Sequence, residues 1–298
     1  MIRFVIVLTS MLTFLSSLTA QESKPRVIVF GVDGLNVYRF DEVETPNFDY
    51  MKAHGSWTLK AQANDPLSSS PNWKSILTGT TPDVHRVLQN GFDKNCYINN
   101  PSCETELESF PTIFTMLRRF KPKARMGVFR QWGAFGRLLK GDRLNRNLWW
   151  AISPGPNVRS AINYYRNFNS DLTFIHIDNC DYAGHAHGHE SNEYLKAVKK
   201  ADNLLGKVIR AIEKEDGFRN TTLIVIADHG GKGKGHGSGT PEGMIIPFLI
   251  MGSNIKHNHE IEVVVKNEDV AVMVAGSLGF KPHECVTAKS ISEVYLEE

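Results

Sequence analysis

Three short apolar runs in the chain each end at acidic residues, and histidines closely follow two of them. The runs cover residues 27–32, 172–177 and 223–227. Such runs are typical of buried strands, and in an open α/β sheet ligands bind beyond the carboxyl ends of the strands. Carboxylate oxygen together with imidazole nitrogen suits zinc, so the sequence predicts one metal site assembled from distant segments. The acids and histidines that follow the three runs are Asp33; Asp178, Asp181 and His185; and Asp228, His229 and His236.

Local spacing supports the metal interpretation. Asp181 and His185 are four residues apart, so one helical turn would place both on the same face. His236 stands between Gly235 and Gly237, and glycine lets the backbone approach a crowded centre. A single aspartate after a strand is more typical of a helix cap or a turn than of a ligand. The combination of several aspartates and histidines after the three runs favours a metal site.

The sequence predicts roles other than metal binding for further polar residues near these runs. His176 lies inside the second run, which predicts a core residue or one that supports the ligands. His187 and His189 flank Gly188 and are expected to be solvated or to face a substrate. Asp178 directly follows the same run and is expected to orient a ligand histidine.

Three consecutive serines, Ser68, Ser69 and Ser70, precede Pro71, which is typical of a helix start. A hydroxyl there would lie at a helix N-terminus, which favours an anion beside it, and simple N-capping is the alternative. The sequence contains neither G-x-x-x-x-G-K-[ST] nor G-x-S-x-G. A P-loop nucleotide site and the nucleophile elbow of α/β-hydrolases are therefore excluded.

Composition and the N-terminus limit the class of protein. The chain has 298 residues and a formal net charge of +2, so no nucleic-acid-binding surface is expected. Arg3 precedes an apolar stretch over 4–18, and Ala20 is a small residue at a cleavage point. The stretch is too short for a good membrane-spanning helix. The sequence thus predicts a signal peptide at 1–20, a single domain at 21–298 without a transmembrane segment, and a secreted or extracytoplasmic location, periplasmic or extracellular.

The four cysteines fit an oxidising compartment. Cys96 and Cys103 lie close together in a polar segment, where a disulfide would close a small loop. Cys180 is expected to be a small packing residue, and Cys285 has no obvious partner.

Short apolar runs alternate along the chain with helical patterns, which favours a mostly parallel sheet with helices on both faces. The predicted fold class is therefore an α/β three-layer sandwich. Helices are predicted at 46–54, 71–77, 112–120, 158–168, 192–215 and 269–278, and further strands at 124–129, 245–251 and, at the sheet edge, 260–265.

Four motifs together resemble those of one enzyme superfamily. This set, spread over 27–278, resembles the alkaline phosphatase superfamily in its nucleotide pyrophosphatase/phosphodiesterase-like branch. Each motif is common by itself, whereas the combination is specific. The motifs are Asp33-Gly34; Ser69-x-Pro71-Asn72 ahead of Thr78-Gly79, Pro82 and His85; Asp181-x-x-Gly184-His185-x-x-Gly188; and Asp228-His229-Gly230 with His236.

The resemblance implies an alkaline phosphatase-like catalytic domain with two divalent metal ions, Zn²⁺ being the expected metal. It implies that Ser69 is the nucleophile and that Asn90 contacts the phosphoryl oxygen. The implied ligands are Asp33, Asp228, His229 and the Ser69 oxygen for one ion, and Asp181, His185 and His236 for the other.

The chain departs from the family pattern at a few positions. Arg86 stands where a glycine usually follows the motif histidine, and His189 stands where a proline is usual. The sulfatase branch has an arginine two residues after the motif proline, and Trp73 occupies that position after Pro71. A sulfatase is therefore disfavoured.

The resemblance implies a metal-dependent hydrolase of small phosphate esters, of the type I phosphodiesterase/nucleotide pyrophosphatase kind, with nucleotides among the candidate substrates. The metal-activated serine would form a phosphoseryl intermediate. A phosphomonoesterase is the alternative, because a cation facing the phosphate would favour the extra charge of a monoester. An inactive secreted binding domain is the third interpretation. The cations considered for the monoesterase are Arg86, Lys74, Lys232 and Lys234.

Overall fold

The computed structural model describes residues 24–92, 110–237 and 239–297. The predicted signal peptide at 1–20 lies outside the described residues, as do Cys96 and Cys103, so both expectations stay predictions. No helix within the described ranges is long and apolar enough to cross a membrane.

The fold is built on one eight-stranded sheet in the order β4-β3-β5-β1-β6-β7-β2-β8. Strands β4, β3, β5, β1 and β6 run parallel, whereas β7 is antiparallel to both β6 and β2. The sheet is therefore mixed and mostly parallel. The strands are β1 Arg26–Val32, β2 Ser56–Gln62, β3 Met126–Arg130, β4 Arg146–Trp149, β5 Leu172–Ile177, β6 Thr221–Ala227, β7 Ile245–Met251 and β8 His259–Glu260.

Helices cover the sheet and complete the predicted α/β three-layer sandwich. Helices α1, α6 and α7 pack against the long helix α8, whereas α2 and α4 pack against α10. The helices are α1 Pro46–His54, α2 Ser69–Thr78, α3 Pro82–His85, α4 Ile113–Phe120, α5 Phe135–Leu138, α6 Pro154–Asn167, α7 Asn179–His187, α8 Asn192–Glu215, α9 Pro241–Met244 and α10 Asp269–Ser277.

The three strands at the centre of the sheet, β1, β5 and β6, are buried along their whole length. Both faces of a parallel sheet are covered by helices, which is why these strands are continuous apolar runs without alternation. Their burial holds the ends of the three strands in a fixed arrangement, and those ends carry the acidic residues noted above.

Two predictions about the elements and the cysteines are corrected. The predicted edge strand at 260–265 is reduced to the short β8, and the rest of that segment is not strand. Cys285 is disulfide-bonded, so the expectation that it lacks a partner is wrong. Cys180 is free and buried, as expected of a packing residue.

Candidate active site

The carboxyl ends of β5, β1 and β6 bring the predicted acids to one edge of the sheet. The register pairs Val32 of β1 with Ile177 of β5 and with Ala227 of β6. The residues that follow these three positions are therefore neighbours in space. The main-chain N–H of Asp33 donates to the carbonyl oxygen of Ile177 at 2.9 Å, which continues the ladder by one step.

The first cluster consists of Asp33, Asp228 and His229, all fully buried, whose candidate ligand atoms lie within 4.8 Å of one another. Nε2 of His229 lies 3.2 Å from Oδ2 of Asp228 and 3.7 Å from Oδ1 of Asp33. Those two carboxylate oxygens have no hydrogen-bond partner among the described residues. Each carboxylate thus presents one buried, unsatisfied oxygen to the centre of the cluster.

The second cluster consists of Asp181, His185 and His236, whose candidate ligand atoms also lie within 4.8 Å of one another. Asp181 and His185 face the same way from one turn of α7, with Nε2 of His185 3.4 Å from Oδ2 of Asp181. Nε2 of His236 lies 3.7 Å from Oδ1 of Asp181, an oxygen without a partner in the described part of the chain.

The three histidines present the same ring nitrogen to the clusters. Nδ1 of each lies against a main-chain carbonyl: Gly230 for His229 at 2.8 Å, Lys234 for His185 at 2.8 Å and Leu67 for His236 at 2.9 Å. A carbonyl only accepts, so Nδ1 carries the proton and Nε2 carries the lone pair. This is the arrangement of a metal-binding imidazole whose second nitrogen is held by the backbone.

The donor set fits divalent cations. Nε2 of His185 and Nε2 of His236 are 3.1 Å apart, and two lone pairs at that distance repel unless a cation lies beside them. Burial and the neighbouring Asp228 and Asp181 carboxylates raise the pKa of Asp33 well above its usual value. Burial also raises the pKa of Asp228. A cation in each cluster would compensate charges that are otherwise costly to bury.

Ser69 lies next to the first cluster. It is the first residue of α2, with Ser68 as the N-cap, and its Oγ lies 3.3 Å from Nε2 of His229. The main-chain N–H of Ser70 donates to Oδ1 of Asn90 at 2.8 Å, so the amide N–H₂ of Asn90 remains as a donor. The Oγ of Ser70 is buried without a partner among the described residues. The structure thus brings Ser69, Asn90 and His229 close together.

Asn72 holds the chain segment that leads to Ser69, a role that the sequence did not reveal. Its Nδ2 donates to the carbonyl oxygens of Asn64, Pro66 and Ser68, each at 3.1 Å. Its Oδ1 accepts from the main-chain N–H of Asn64 and from Nδ2 of Asn267, each at 2.7 Å. The motif asparagine therefore fixes the loop before the helix.

The supporting roles predicted for other residues are corrected in two places. His189 is fully buried, with Nδ1 3.1 Å from the carbonyl oxygen of Gly233, so it neither faces solvent nor a substrate. Its ring packs against Gly184 and Gly231, where any larger residue would collide with it. Asp178 forms no hydrogen bond to a histidine among the described residues. His187 is exposed, as expected.

Lys74 and Arg86, two of the cations considered for a monoesterase, form their side-chain hydrogen bonds with carbonyl oxygens outside both clusters. Lys74 is fully buried, and its Nζ donates to the carbonyl oxygens of Phe110 at 3.4 Å and Leu138 at 3.3 Å. Lys74 therefore does not act as the cation considered for a monoesterase. Exposed Arg86 adopts a left-handed backbone with φ of 63°, which explains why glycine is the usual residue there.

Lys232 and Lys234, the other two candidates, lie on the loop after β6. Lys232 pairs with Glu242 at 3.0 Å on the surface, and Lys234 contributes its main-chain carbonyl to His185. Arg137, which the sequence did not single out, is the cation next to Asn90. Its Nη2 donates to the Asn90 carbonyl oxygen at 3.1 Å.

The profile of the type I phosphodiesterase / nucleotide pyrophosphatase family matches residues 27–118 and 144–233, which include most of both clusters. The chain belongs to this family. The predicted resemblance is thereby confirmed, and the family is metal-dependent.

Two animal enzymes are among the similar proteins. Ectonucleotide pyrophosphatase/phosphodiesterase family member 3 of Rattus norvegicus is 24% identical over 70% of this chain and 25% of its own length. Venom phosphodiesterase 2 of Crotalus adamanteus is 23% identical over 68% of this chain and 26% of its own length. The chain thus spans about a quarter of the length of these curated relatives.

Solved structures confirm the fold. An inactive threonine-to-alanine variant of murine ectonucleotide pyrophosphatase/phosphodiesterase 5, in complex with AMP, superposes with a TM-score of 0.71 at 13% identity. The match covers 92% of this chain and 100% of the other. A 2-O glycosaminoglycan sulfatase, BT1596, gives a TM-score of 0.68 at 15% identity over 90% of this chain and 73% of the other.

Proposed function

We propose that this chain is a metal-dependent hydrolase of phosphate esters that acts through Ser69. The observation that carries the proposal is the position of the Ser69 hydroxyl, 3.3 Å from His229 Nε2, beside two clusters of Asp and His side chains. A nucleophile next to such clusters is suited to displacement at a phosphorus atom. The family to which the chain belongs supports the same reaction.

Two divalent ions, with Zn²⁺ the expected metal, fit the donor set. Bound there, they would lower the pKa of a hydroxyl and stabilise the attacking and leaving oxygens of an in-line displacement. The residues proposed to hold them are Asp33, Asp228, His229 and Ser69 in one site and Asp181, His185 and His236 in the other.

The side chains of this protein would then perform two successive transfers. The Ser69 oxygen attacks phosphorus and its proton passes to solvent, while the bond to the leaving oxygen breaks and that oxygen takes up a proton. The phosphoryl group, with the remaining ester substituent of a diester, stays on serine. Water then attacks the phosphoseryl group and loses a proton, and Ser69 is released and protonated again. The Asn90 amide N–H₂ is placed to donate to a non-bridging oxygen, because its Oδ1 is already occupied by Ser70 N–H.

The substrate class proposed is a diester or pyrophosphate of nucleotide type. Support comes from the relatives, which are called pyrophosphatases and phosphodiesterases, and from the AMP complex of the murine neighbour. A phosphomonoesterase is the second candidate, favoured by Arg137 beside Asn90. We further propose that residues 21–298 form one catalytic domain after a signal peptide at 1–20, and that the enzyme works outside the cytoplasm, as venom enzymes do.

Three aryl substrates test the proposal: p-nitrophenyl thymidine monophosphate, bis-p-nitrophenyl phosphate and p-nitrophenyl phosphate. Turnover of the nucleotide diester in the presence of zinc, abolished by excess EDTA and restored by zinc, is the expected result. Full turnover by the EDTA-treated, metal-free chain would contradict metal dependence. Zinc and nucleotide binding without turnover of any of the three would instead identify the inactive binding domain.

A further inference from the structure

Asp33 is held on one side by two buried donors. The Nε1–H of Trp73 donates to Oδ2 of Asp33 at 2.8 Å, and Nε2 of His176 lies 3.1 Å from the same oxygen. All three side chains have no exposed surface. A carboxylate accepts hydrogen bonds, so the His176 nitrogen that faces it carries a proton. The other oxygen, Oδ1, has no partner within the described residues and is the one nearer to His229.

We propose that Trp73 and His176 are positioning residues that occupy Oδ2 of Asp33, so that Oδ1 alone is offered to a metal ion. The proposal rests on the function proposed above and adds two residues to it. Donors on the far side of a metal-binding carboxylate fix its orientation and tune its affinity for the metal.

Trp73 also links the position of the nucleophile, Ser69, to that of the proposed ligand Asp33. Ser69 and Trp73 are four residues apart in α2, so they lie on the same face of the helix, one turn from each other. One face of one helix therefore carries both the attacking hydroxyl and the group that orients Asp33. A shift of α2 along its axis would disturb both contacts together.

Packing keeps the Trp73 ring from moving. A Cβ at Gly31 would lie 2.5 Å from Cη2 of Trp73, so only glycine lets the ring lie against β1. The ring also meets His176 edge-on, with centroids 4.8 Å apart, and Phe135 at 5.6 Å. Because the indole is enclosed on these sides, its N–H points at Asp33 in one orientation.

The main test is Trp73→Phe, which keeps an aromatic ring at this position of α2 and removes the N–H. Trp57→Phe is the matched control, because the Trp57 N–H is buried without a partner in the described ranges and lies on β2. The metal-stripped full chain is titrated with zinc alone against a chromophoric chelator. We expect Trp73→Phe to weaken one of two zinc equivalents by about tenfold or more and to leave the other unchanged. Trp57→Phe should match the wild type.

Kinetics with an aryl diester give a second readout. In zinc-saturated protein we expect Trp73→Phe to lower kcat by about tenfold or more, with KM within about twofold, because the lost contact orients the reacting groups rather than binds the substrate. Wild-type zinc affinities together with wild-type kcat in Trp73→Phe would overturn the inference.

A pair of variants at His176 covers the case in which Trp73→Phe fails to fold. His176→Gln keeps an N–H in reach of Asp33, whereas His176→Leu removes it. We expect the leucine variant to lose zinc affinity and the glutamine variant to regain most of it; equal affinities would overturn the inference. A wild type that neither binds zinc nor turns over an ester would refute the proposed function itself, which is a separate outcome.

Discussion

The Oγ of Ser69 lies 3.3 Å from Nε2 of His229, and Nδ1 of the same ring forms a hydrogen bond with the main-chain carbonyl of Gly230. Nε2 of His229 therefore lies near the Ser69 hydroxyl and near the unsatisfied oxygens of Asp33 and Asp228. These are the groups proposed to hold one metal ion. The arrangement assigns separate tasks to neighbouring serines, which can be tested one at a time.

Ser69→Ala is expected to abolish hydrolysis while leaving the fold and the bound metal in place. The hydroxyl is the attacking group, and removal of a nucleophile costs at least about a thousandfold in kcat. Turnover of the nucleotide diester and metal content by atomic emission are measured on the same preparation. Loss of both ions together with activity would show that Ser69 serves the structure of the site rather than the chemistry.

Ser70→Ala is the matched control. Its Oγ is buried and has no hydrogen-bond partner among the described residues, whereas its main-chain N–H, which the substitution keeps, donates to Asn90. We therefore expect turnover close to that of the wild type. An inactive Ser70→Ala variant with an active Ser69→Ala variant would move the nucleophile by one residue.

Removing one ligand from either cluster should show that the two clusters bind separate ions. His236→Ala removes Nε2 from the second cluster and Asp228→Ala removes Oδ2 from the first, so each variant is expected to bind one ion where the wild type binds two. Activity should fall in both. Metal content and isothermal titration with zinc check this, and two tightly bound ions in either variant would contradict the ligand assignment.

The central strands and their acids could be predicted from sequence because burial on both faces leaves continuous apolar runs that stop abruptly at polar residues. Apolar periodicity predicts helix α8 over 192–215, and the structure has the same bounds. The strands β2 and β4 were not predicted. The residues of β4 are mostly exposed, so a strand at this sheet edge carries no apolar signal.

Within the site, short motifs predicted the ligands but not the residues that support them. Lys74 and His189 illustrate the limit: each is polar and looks solvated in sequence, yet each is fully buried by elements distant along the chain. Arg137 was missed for the same reason, because its position beside Asn90 depends on how α5 packs. Contacts between distant segments leave no local pattern.

The chain is expected to prefer diesters over monoesters. We expect a higher kcat/KM for p-nitrophenyl thymidine monophosphate than for p-nitrophenyl phosphate, because Asn90 is a neutral donor and a dianionic monoester would require a cation. Arg137→Ala should lower monoester turnover severalfold more than diester turnover. Arg86→Gly, which suits the left-handed backbone, should leave the ratio unchanged. A wild type that prefers the monoester, with that preference lost in Arg137→Ala, would identify a phosphatase.

Lys74 is buried in the helix that begins with Ser69. Burial lowers the pKa of Lys74 to about 8 from 10.5, and the nearby Asp142 offsets part of this effect. The charge on Lys74 in turn lowers the pKa of buried His85 further than burial alone does. The pKa of Lys74 is about 8 in the folded chain and 10.5 in the unfolded chain, so between these values Lys74 is neutral when folded and protonated when unfolded. The contribution of Lys74 to the free energy of unfolding therefore rises with pH across that window.

Lys74→Met should remove this pH dependence. Relative to the variant, the wild type is expected to gain about 2 kcal/mol of unfolding free energy between roughly pH 7.5 and pH 10. Lys60→Met is the matched control, because Lys60 is 80% exposed and its loss should leave the pH dependence of the wild type in place. Guanidinium unfolding at both pH values measures the difference. A Lys74→Met variant whose stability changes with pH in parallel with the wild type would mean that Lys74 keeps an ordinary pKa in the folded protein.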